Sequence, residues 1–489
     1  MPIFINQVIY SVIHMQPTDT TLKNSLPAIS EKWDQEIIPQ LEEYIRIPNK
    51  SPMFDPHWKQ NGYMNQAMEL IKNWCSQQHI SGMTLELLED EDHTPLLYLE
   101  IRGQIDDTIL MYGHMDKQPE MAGWDDDKGP WTPVIHDGKL YGRGGADDGY
   151  AVFASLTAIQ TLQQHNIPHA RIVVIIEGSE ESGSNDLPHY LTKLSPKIGS
   201  PNLIICLDSG CGNYEQLWST TSLRGIIEGK LRVDVLKNGI HSGVGSGIVP
   251  SAFSILRQLL ARIEDENTHQ LTLDALKTSI PQQRIDQARH AADALGEMIL
   301  TNYAFAGNTQ PTTDDLAELL LNRTWRPALS VVGMDGLPPT ETGGNVTLPH
   351  ITVKLSVRIP PGIDPEVAVT VLKETLEANP PFGAKVQFTA GHGGPGWNAP
   401  PLAKWLEDAS DRASQLFYNK PAAYIGEGGT IPFMGMLGQM YPQAQFMIAG
   451  VLGPKSNAHG PNEFLHIDMV KRLTGCMASI IATHYEEFS

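Results

Sequence analysis

The sequence predicts an α/β protein in which a mostly parallel sheet, flanked by helices, is interrupted by a smaller α+β domain. Three observations support this fold class. Short apolar runs alternate with amphipathic helical segments over residues 1–210, an alternating apolar–polar pattern replaces them in the middle of the chain, and the first pattern returns after residue 400. Alternating strands and helices are typical of a parallel sheet covered on both faces. At 489 residues the chain also exceeds the size of one ordinary core.

The first and last parts of the chain carry the segments expected to build the parallel sheet. Runs rich in Ile, Leu and Val suit strands that are buried on both faces. These runs are residues 95–101, 108–112, 171–177, 202–208 and 446–452. Apolar residues at helical spacing predict helices at 33–45, 63–78, 150–162 and 467–485. One sheet is therefore expected to combine strands from both ends of the chain.

The middle of the chain predicts a separate domain. Its expected strands are residues 226–236, 351–358 and 384–389. Ser251 is a good N-cap for a helix, and Asp364 followed by proline predicts the start of another that ends near residue 378. A helical elaboration is expected at 281–322. The predicted organisation is an N-terminal extension at 1–25, a main domain split between 26–215 and 393–489, and an inserted domain at 216–392.

Composition and charge narrow the class of protein. Hydrophobic residues make up 41% of the chain and charged residues 19%, which is the profile of a folded, soluble protein. The net charge is -21 and no basic run stands out, so nucleic acid is not an expected partner. No apolar stretch reaches the length of about 20 residues that a membrane-spanning helix needs, so no membrane partner is expected either.

The cysteines and the N-terminal residues indicate the cellular compartment in which the protein is expected. The cysteines are Cys75, Cys206, Cys211 and Cys476, which form neither a CxxC pair nor a regular framework. They are expected to be the reduced thiols of a cytoplasmic protein. Residues 1–15 are apolar but lack the basic start and the cleavage site of a signal peptide, so they are not expected to be one; Met15 is an alternative start.

Potential metal ligands follow several of the predicted parallel strands. His114 and Asp116 end the run ILMYGHMD, Glu180 and Glu181 follow IVVIIEG, and Asp208 ends LIICLD. Carboxyl ends of parallel strands lie at one edge of a sheet, where open α/β folds bind ligands. Imidazole and carboxylate groups without thiolates suit Zn²⁺ and tolerate Mn²⁺ or Co²⁺. The sequence therefore predicts a divalent-metal site, in which two ions could share a carboxylate and activate water.

Six short segments resemble, in order, the signature blocks of the M20 metallopeptidases. They are GHMD at 113–116, YGRGGADDG at 141–149, EGSEESGS at 177–184, LDSG at 207–210, HSG at 241–243 and AHGPNE at 458–463. One block alone would be weak support, whereas six in family order are specific. The chain is most similar to the carnosinase-like, cytosolic non-specific dipeptidases. This resemblance implies a zinc-exopeptidase-like catalytic domain and an inserted ferredoxin-like domain that serves as lid and dimerisation domain.

The family pattern, carried over by position, implies two metal ions per chain, most simply Zn²⁺. His114, Asp147 and Asp208 would hold one ion. Asp147, Glu181 and His459 would hold the other, so that Asp147 bridges the two.

The same pattern implies roles for the residues beside these ligands. Glu180 would be the general base that takes a proton from the attacking water and passes it to the leaving amine. Asp116 would orient the ring of His114. The family also implies a cis peptide between Asp147 and Asp148. From the residues alone, Asp148 could equally be the N-cap of the helix that follows.

Further matches imply the contacts to substrate. His241 would contribute to the oxyanion site, in related dimers often that of the partner subunit. Arg358 matches an arginine that grips the substrate carboxylate, for which a guanidinium fork is well suited. Gly428, Gly429 and Thr430 belong to EGGTIP, which resembles the loop around the substrate's terminal group. The residues alone leave open that His241 is an ordinary surface histidine and Arg358 a solvent-facing charge.

The expected activity is hydrolysis of the amide bond of dipeptides or short peptides with a free C-terminal carboxylate, by a cytoplasmic homodimer joined through the lid. Two alternatives stay open. One is an N-acyl-amino-acid deacylase or a carboxypeptidase on the same scaffold, since pocket shape decides between them. The other is a non-catalytic metal-binding scaffold protein, against which the full ligand set and Glu180 argue; fold alone does not decide function.

Overall fold

The computed structural model describes residues 17–301 and 303–489. The predictions for residues 1–15, on a signal peptide and on Met15 as a start, lie outside this part of the chain, as does most of the predicted extension at 1–25. The described helices are α1 (Pro17–Lys32), α2 (Ile38–Arg46), α3 (Trp58–Asn61), α4 (Tyr63–Gln77), α5 (Ala151–Gln164), α6 (Leu187–Ile198), α7 (Ser242–Gly245), α8 (Ala252–Leu260), α9 (Gln282–Leu295), α10 (Leu316–Thr324), α11 (Pro365–Glu377), α12 (Lys404–Tyr418), α13 (Pro432–Met440) and α14 (Ile467–Phe488). The described strands are β1 (Met83–Leu88), β2 (Leu96–Ile101), β3 (Ile105–His114), β4 (Val134–His136), β5 (Lys139–Tyr141), β6 (Ala170–Glu177), β7 (Leu203–Cys206), β8 (Trp218–Leu223), β9 (Gly225–Asp234), β10 (Ile240–His241), β11 (Ala328–Asp335), β12 (Val346–Thr347), β13 (His350–Ile359), β14 (Lys385–Gly394), β15 (Trp397–Asn398), β16 (Ala423–Glu427), β17 (Gln445–Ile448) and β18 (Phe464–His466).

The largest sheet contains six strands in the order β1-β2-β6-β3-β7-β17. Strands β6, β3, β7 and β17 run parallel, while β2 pairs antiparallel with β6 and closes that side together with β1. The strands predicted near residues 95, 108, 171, 202 and 446 are all present, and both ends of the chain contribute. The predicted fold class, a mostly parallel sheet flanked by helices, is therefore confirmed.

Alternate residues of the central strand β3 pack into two different cores. Ile109 and Met111 lie in a cluster with α5 and α14, whereas Leu110 and Tyr112 lie in a cluster with α6 and α13. Successive side chains of a strand point to opposite faces, so a strand covered on both sides must be apolar throughout. This explains why the run in the sequence shows no polar alternation before His114.

A second, antiparallel sheet has the order β11-β13-β9-β14 and carries helices on one face. Its apolar face has a core of its own, formed by β9, β13, α8 and α11. The predicted helix starts are confirmed, because the Ser251 hydroxyl accepts a hydrogen bond from the Ser254 amide (3.4 Å) and the Asp364 carboxylate accepts one from the Glu366 amide (2.8 Å). The separate core supports the predicted inserted domain, whose limits stay a prediction.

The helical elaboration expected near 281–322 is present as α9 and α10, and it packs on the main domain. Ala291, Leu320 and Trp325 lie in the same core as the parallel sheet, and α9 lies against β16. Helix α1 was not foreseen; it packs along α14 and crosses the predicted boundary at residue 25. Within residues 17–301 and 303–489, no helix combines the length and apolar character needed to cross a bilayer.

Candidate active site

The predicted metal ligands come together at the carboxyl edge of the parallel sheet, on one strand end and four connecting segments. His114 is the last residue of β3, and Asp208 lies two residues beyond β7. Glu181 is in a short 3₁₀ turn after β6, Asp147 is in the turn that leads into α5, and His459 is in the loop before β18. His114, Glu181 and Asp208 converge because their strands end at the same edge of one sheet. The loops that carry Asp147 and His459 place these two residues against the same edge.

The first group of ligands surrounds the ring of His114. Its Nε2 lies 3.5 Å from Asp147 Oδ1 and 3.7 Å from Asp208 Oδ2. All three side chains are buried, and one ligand atom from each lies within 4.8 Å of the others. This arrangement could hold a metal ion with one imidazole and two carboxylates.

The second group uses the other oxygen of Asp147. His459 Nε2 lies 3.0 Å from Asp147 Oδ2 and 3.4 Å from Glu181 Oε2, and these three ligands also lie within 4.8 Å of one another. Asp147 thus belongs to both groups through different oxygens. The geometry is that of a carboxylate placed to bridge two ions, as the resemblance implies.

Two buried polar atoms of the site lack hydrogen-bond partners, which bears on whether the pocket suits cations. His114 Nε2 and Glu181 Oε1 are inaccessible to solvent and have no hydrogen-bond partner in the described part of the chain. Buried polar groups are nearly always paired, so orphaned atoms that face several carboxylates indicate an exogenous cation. The imidazole and carboxylate donors fit Zn²⁺ or a similar divalent ion.

The shifted pKa values of the site residues also indicate a cation site. Burial raises the pKa of Asp208 to about 6 and, with the charge of Asp208, raises the pKa of Glu180 well above its usual range. Burial lowers the pKa of His114, but the carboxylates of Asp208 and Asp116 outweigh it and raise that pKa well above the usual value. Protons therefore offset the crowded negative charge where no metal does so, and divalent cations would displace them.

Asp116 fixes the turn that carries the two adjacent glutamates. Its Oδ1 accepts a hydrogen bond from the Glu180 amide (3.1 Å) and its Oδ2 accepts one from the Glu181 amide (3.0 Å). Oδ1 also lies 3.4 Å from Nδ1 of His114, in keeping with the expected orienting role. With the turn held in this way, the Glu180 carboxylate reaches to 4.0 Å from His114 Nε2, beside the ligands rather than among them.

The peptide bond between Asp147 and Asp148 is cis, as the resemblance implies. Asp148 accepts a hydrogen bond from the His114 amide (3.3 Å) through Oδ2. No side chain caps the start of α5, so the alternative of Asp148 as its N-cap is not supported.

One buried ion pair in the site was not foreseen from the sequence. The Arg143 guanidinium donates to the Glu463 carboxylate, and it also donates to the Gly460 carbonyl (2.8 Å). Glu463 accepts in addition from the Gly144 amide (2.8 Å). The pair thereby ties the loop of His459 to the loop of Asp147. Both residues lie inside signature-like segments, and that was the available signal.

The predicted substrate residues lie on two elements that touch. Arg358, near the end of β13, donates from Nη1 to the Thr430 hydroxyl (3.3 Å), and that hydroxyl donates to the Arg224 carbonyl (2.5 Å). Gly428 packs against Arg224 and Arg323, whereas Gly429 faces open space. The arginine and the glycine-rich loop are therefore brought together as expected, although their contact with substrate stays a prediction.

His241 is the predicted site residue that does not join the others within one chain. It lies in the two-residue strand β10, paired with β12, and its side chain is exposed. Its Nδ1 accepts a hydrogen bond from the Gly243 amide (3.1 Å). Among the described residues no ligand of the metal site contacts it.

Comparisons with known proteins agree with this geometry. A dipeptidase that acts on cysteinylglycine S-conjugates in Corynebacterium striatum is 27% identical over 383 residues, 77% of this chain and 81% of its own. The human Beta-Ala-His dipeptidase is 25% identical over 454 residues, 86% of each chain. The solved structure of the dipeptidase Dug1p from Saccharomyces cerevisiae has a TM-score of 0.71 at 20% identity and covers 96% of this chain and 99% of its own. A family model matches residues 110–483, and the chain therefore belongs to peptidase family M20/M25/M40.

Proposed function

We propose that this protein is a dinuclear-metal dipeptidase that hydrolyses the amide bond of dipeptides or short peptides with a free C-terminal carboxylate. One observation carries the proposal: two ligand groups share Asp147, and the carboxyl group of Glu180, which belongs to neither group, lies at their edge. The family is one of peptidases, and the relatives from Corynebacterium and human are both named as dipeptidases.

The side chains of the site have separable tasks in this reaction. Two divalent ions, when bound, supply the Lewis acidity that activates water and stabilises the developing oxyanion. Glu180 takes a proton from the attacking water and delivers it to the nitrogen of the leaving amine. Asp116 holds the Glu180 turn through the amides of both glutamates, so the base keeps its position during the transfer. Arg358 binds the C-terminal carboxylate and sets the register of the scissile bond.

The five proposed ligands are His114, Asp147, Glu181, Asp208 and His459. Their imidazole and carboxylate donors support Zn²⁺ as the ion, with Mn²⁺ and Co²⁺ as alternatives. All four cysteines are buried and none is paired in a disulfide. That state supports a reducing, cytoplasmic location.

The exposed edge of the inserted domain supports a homodimer. Strand β11 lies at the end of its sheet. Val331, Val332 and Met334 on it are 45%, 54% and 44% exposed. A long apolar edge strand is a ready template for pairing with another chain. We propose that residues 216–392 form a lid and dimerisation domain, and that His241 acts in the partner's site because it contacts no site residue of its own chain.

The test is dipeptide hydrolysis by metal-stripped protein to which Zn²⁺, Mn²⁺ or Co²⁺ is returned. We expect no turnover without metal and cleavage of dipeptides with it. If two ions bind per chain and N-acyl amino acids are cut while dipeptides are not, the protein is a deacylase on the same scaffold. Absence of turnover on both panels, with metal bound, would overturn the enzymatic proposal.

A further inference from the structure

A buried arginine lies beside the proposed substrate-binding loop with unused hydrogen-bonding capacity. Arg224, between β8 and β9, is 8% exposed, and its Nη1 donates to the carbonyls of Asn322 and Arg326 (3.3 Å each). Its Nε has no partner among the described residues. Its Nη2 lies 3.2 Å from the point that a Cβ would occupy on Gly428. Gly428 therefore packs directly against this guanidinium, at a point where a side chain would not fit.

A second arginine packs against the same glycine. The backbone carbonyl of Arg323 on α10 lies 3.1 Å from that point on Gly428, and its Cγ lies 3.3 Å from it. Its Nε is also buried without a partner in the part of the chain that the structure describes. Arg358 lies on the other side of the loop, through its bond to Thr430.

The positive charge of these three arginines is only partly balanced. Over residues 17–301 and 303–489, none of the three forms an ion pair within 4.0 Å. Two carboxylates act on them from further away: Glu427 on Arg323 and Glu228 on Arg358. Glu228 is itself paired with Lys354 at 3.1 Å. Arg224 is buried and Arg323 and Arg358 are half-buried. A guanidinium that is withdrawn from water without a paired carboxylate is costly, so the cluster indicates a place for exogenous anions.

Glu427 links the cluster to the segment that carries the candidate ligand Asp208. Glu427 Oε1 lies 2.6 Å from the Cβ position of Gly210, two residues beyond the ligand Asp208, and the Glu427 carbonyl accepts a hydrogen bond from the Arg224 amide (3.3 Å). A substrate whose scissile bond lies at the metals and whose α-carboxylate lies at Arg358 would have its C-terminal side chain next to Gly428. The α-carboxylate of such a substrate balances the charge of Arg358. The positive charges of Arg224 and Arg323 stay unbalanced.

We propose that Arg224 and Arg323 form a second anion subsite that selects substrates with an acidic C-terminal residue, such as aspartate or glutamate. The inference rests on the proposed function and deepens it by naming the substrate class. Both arginines are specificity-determining residues, because a guanidinium fork recognises a carboxylate far better than it recognises the neutral amide of the same shape.

The kinetic test compares Ala-Glu with Ala-Gln, which differ in charge and hardly in size. We expect kcat/KM for Ala-Glu to exceed that for Ala-Gln by about tenfold or more, the usual worth of a charged hydrogen bond. Arg323→Gln should remove that preference. The matched control is Arg326→Gln, since Arg326 is nearby but its guanidinium is paired with Glu318 at 2.6 Å; the preference should survive there. Equal kcat/KM for both dipeptides, or a preference that persists in Arg323→Gln and in Arg224→Gln, would overturn the proposal.

Calorimetric binding of product separates this inference from the reaction itself. Metal-loaded wild-type protein should bind L-glutamate about tenfold tighter than L-glutamine, and Arg323→Gln should bind both alike. If dipeptides are cleaved but glutamate shows no advantage, the reaction stands and the subsite is wrong. If glutamate binds preferentially through Arg323 but no dipeptide is cut, the subsite stands and the proposed reaction is wrong.

Discussion

Two adjacent glutamates receive different tasks because their turn is fixed by one carboxylate. Asp116 accepts hydrogen bonds from the amides of both Glu180 and Glu181. The 3₁₀ turn sends Glu181 toward His459 at 3.4 Å and leaves Glu180 near His114 at 4.0 Å. A pair of neighbouring acids in a loop would otherwise be ordinary solvated charges. Their context at a strand end, and the carboxylate beneath them, make one a candidate ligand and the other a candidate base.

Replacement of Glu180 by glutamine should separate proton transfer from metal binding. We expect kcat to fall by about 10²–10⁴-fold, the usual contribution of a general base, because the isosteric amide cannot accept the proton. Metal content, measured by mass spectrometry, should stay at two ions per chain. Glu181→Gln is the control and should lose metal. Loss of metal from Glu180→Gln would identify Glu180 as a ligand and contradict its assignment as the base.

Replacement of Arg358 by alanine tests recognition of the C-terminus. We expect KM for free dipeptides to rise by about tenfold or more, because a charged hydrogen bond is lost, while KM for C-terminally amidated dipeptides hardly changes. Steady-state kinetics on both substrate sets is the measurement. Arg232→Ala, on the neighbouring strand β9 and paired with Asp234 at 2.6 Å, is a matched control. An equal rise in KM for both sets would exclude the assigned contact.

At the scale of elements, strand ends place three of the candidate ligands, and connecting loops place Asp147 and His459. The Arg143–Glu463 pair is almost fully buried and joins the loop before α5 to the loop before β18. His459 is the most exposed ligand, with 52% of its side chain accessible. The hydrogen bond from Arg143 to the Gly460 carbonyl helps to hold its loop. This pair is therefore a positioning device for the second ligand group.

Glu463→Gln should destabilise the protein far more than a surface charge change does. Removing one partner leaves the Arg143 charge buried and uncompensated, which costs about 3–5 kcal/mol. Urea unfolding of the metal-loaded protein measures the change in the free energy of unfolding. Glu120→Gln breaks a pair with Lys50 (3.0 Å) that is still partly exposed to solvent, and should cost less than about 1 kcal/mol. Similar small losses in both variants would show that the buried pair does not stabilise the protein by this amount.

Some elements could be predicted from local signals and others could not. The caps at Ser251 and Asp364 fix helix starts through bonds within a few residues, so sequence alone located α8 and α11. By contrast, β8 is buried along its whole length, and its partner β16 lies about 200 residues away along the chain. Helix α9 likewise packs against β16, which lies far from it along the chain. Such pairings leave no periodic trace in the local sequence.

At the scale of the whole molecule, the proposed role of His241 requires a second subunit. His241 is exposed on the inserted domain; its backbone pairs with β12, and its ring accepts a hydrogen bond from the Gly243 amide. The apolar edge strand β11 of the same domain offers a surface for a second subunit. The proposed dimer would thus place a lid residue of one chain over the metal site of the other.

Mixing His241→Ala and Glu180→Ala subunits tests this exchange. Each variant alone should be inactive, but a hybrid dimer regains one complete site if His241 acts across the interface. Random assortment predicts recovery of about one quarter of wild-type activity, measured after unfolding and refolding of the mixture. Two different affinity tags confirm that hybrids have formed. Confirmed hybrids without activity would show that His241 does not act in the partner's site.

The sequence by itself determined the family, the parallel sheet and the candidate ligands. These follow from apolar runs, caps and short motifs that are local, and such motifs include the candidate ligands His114, Asp147, Glu181, Asp208 and His459. Only the tertiary structure decided that Asp147 offers a different oxygen to each group, that Arg143 and Glu463 join two loops, and that Arg224, Arg323 and Arg358 lie near one another. The physical reason is that such arrangements depend on distances between loops far apart in sequence, which are set by how strands pair and how helices cover them.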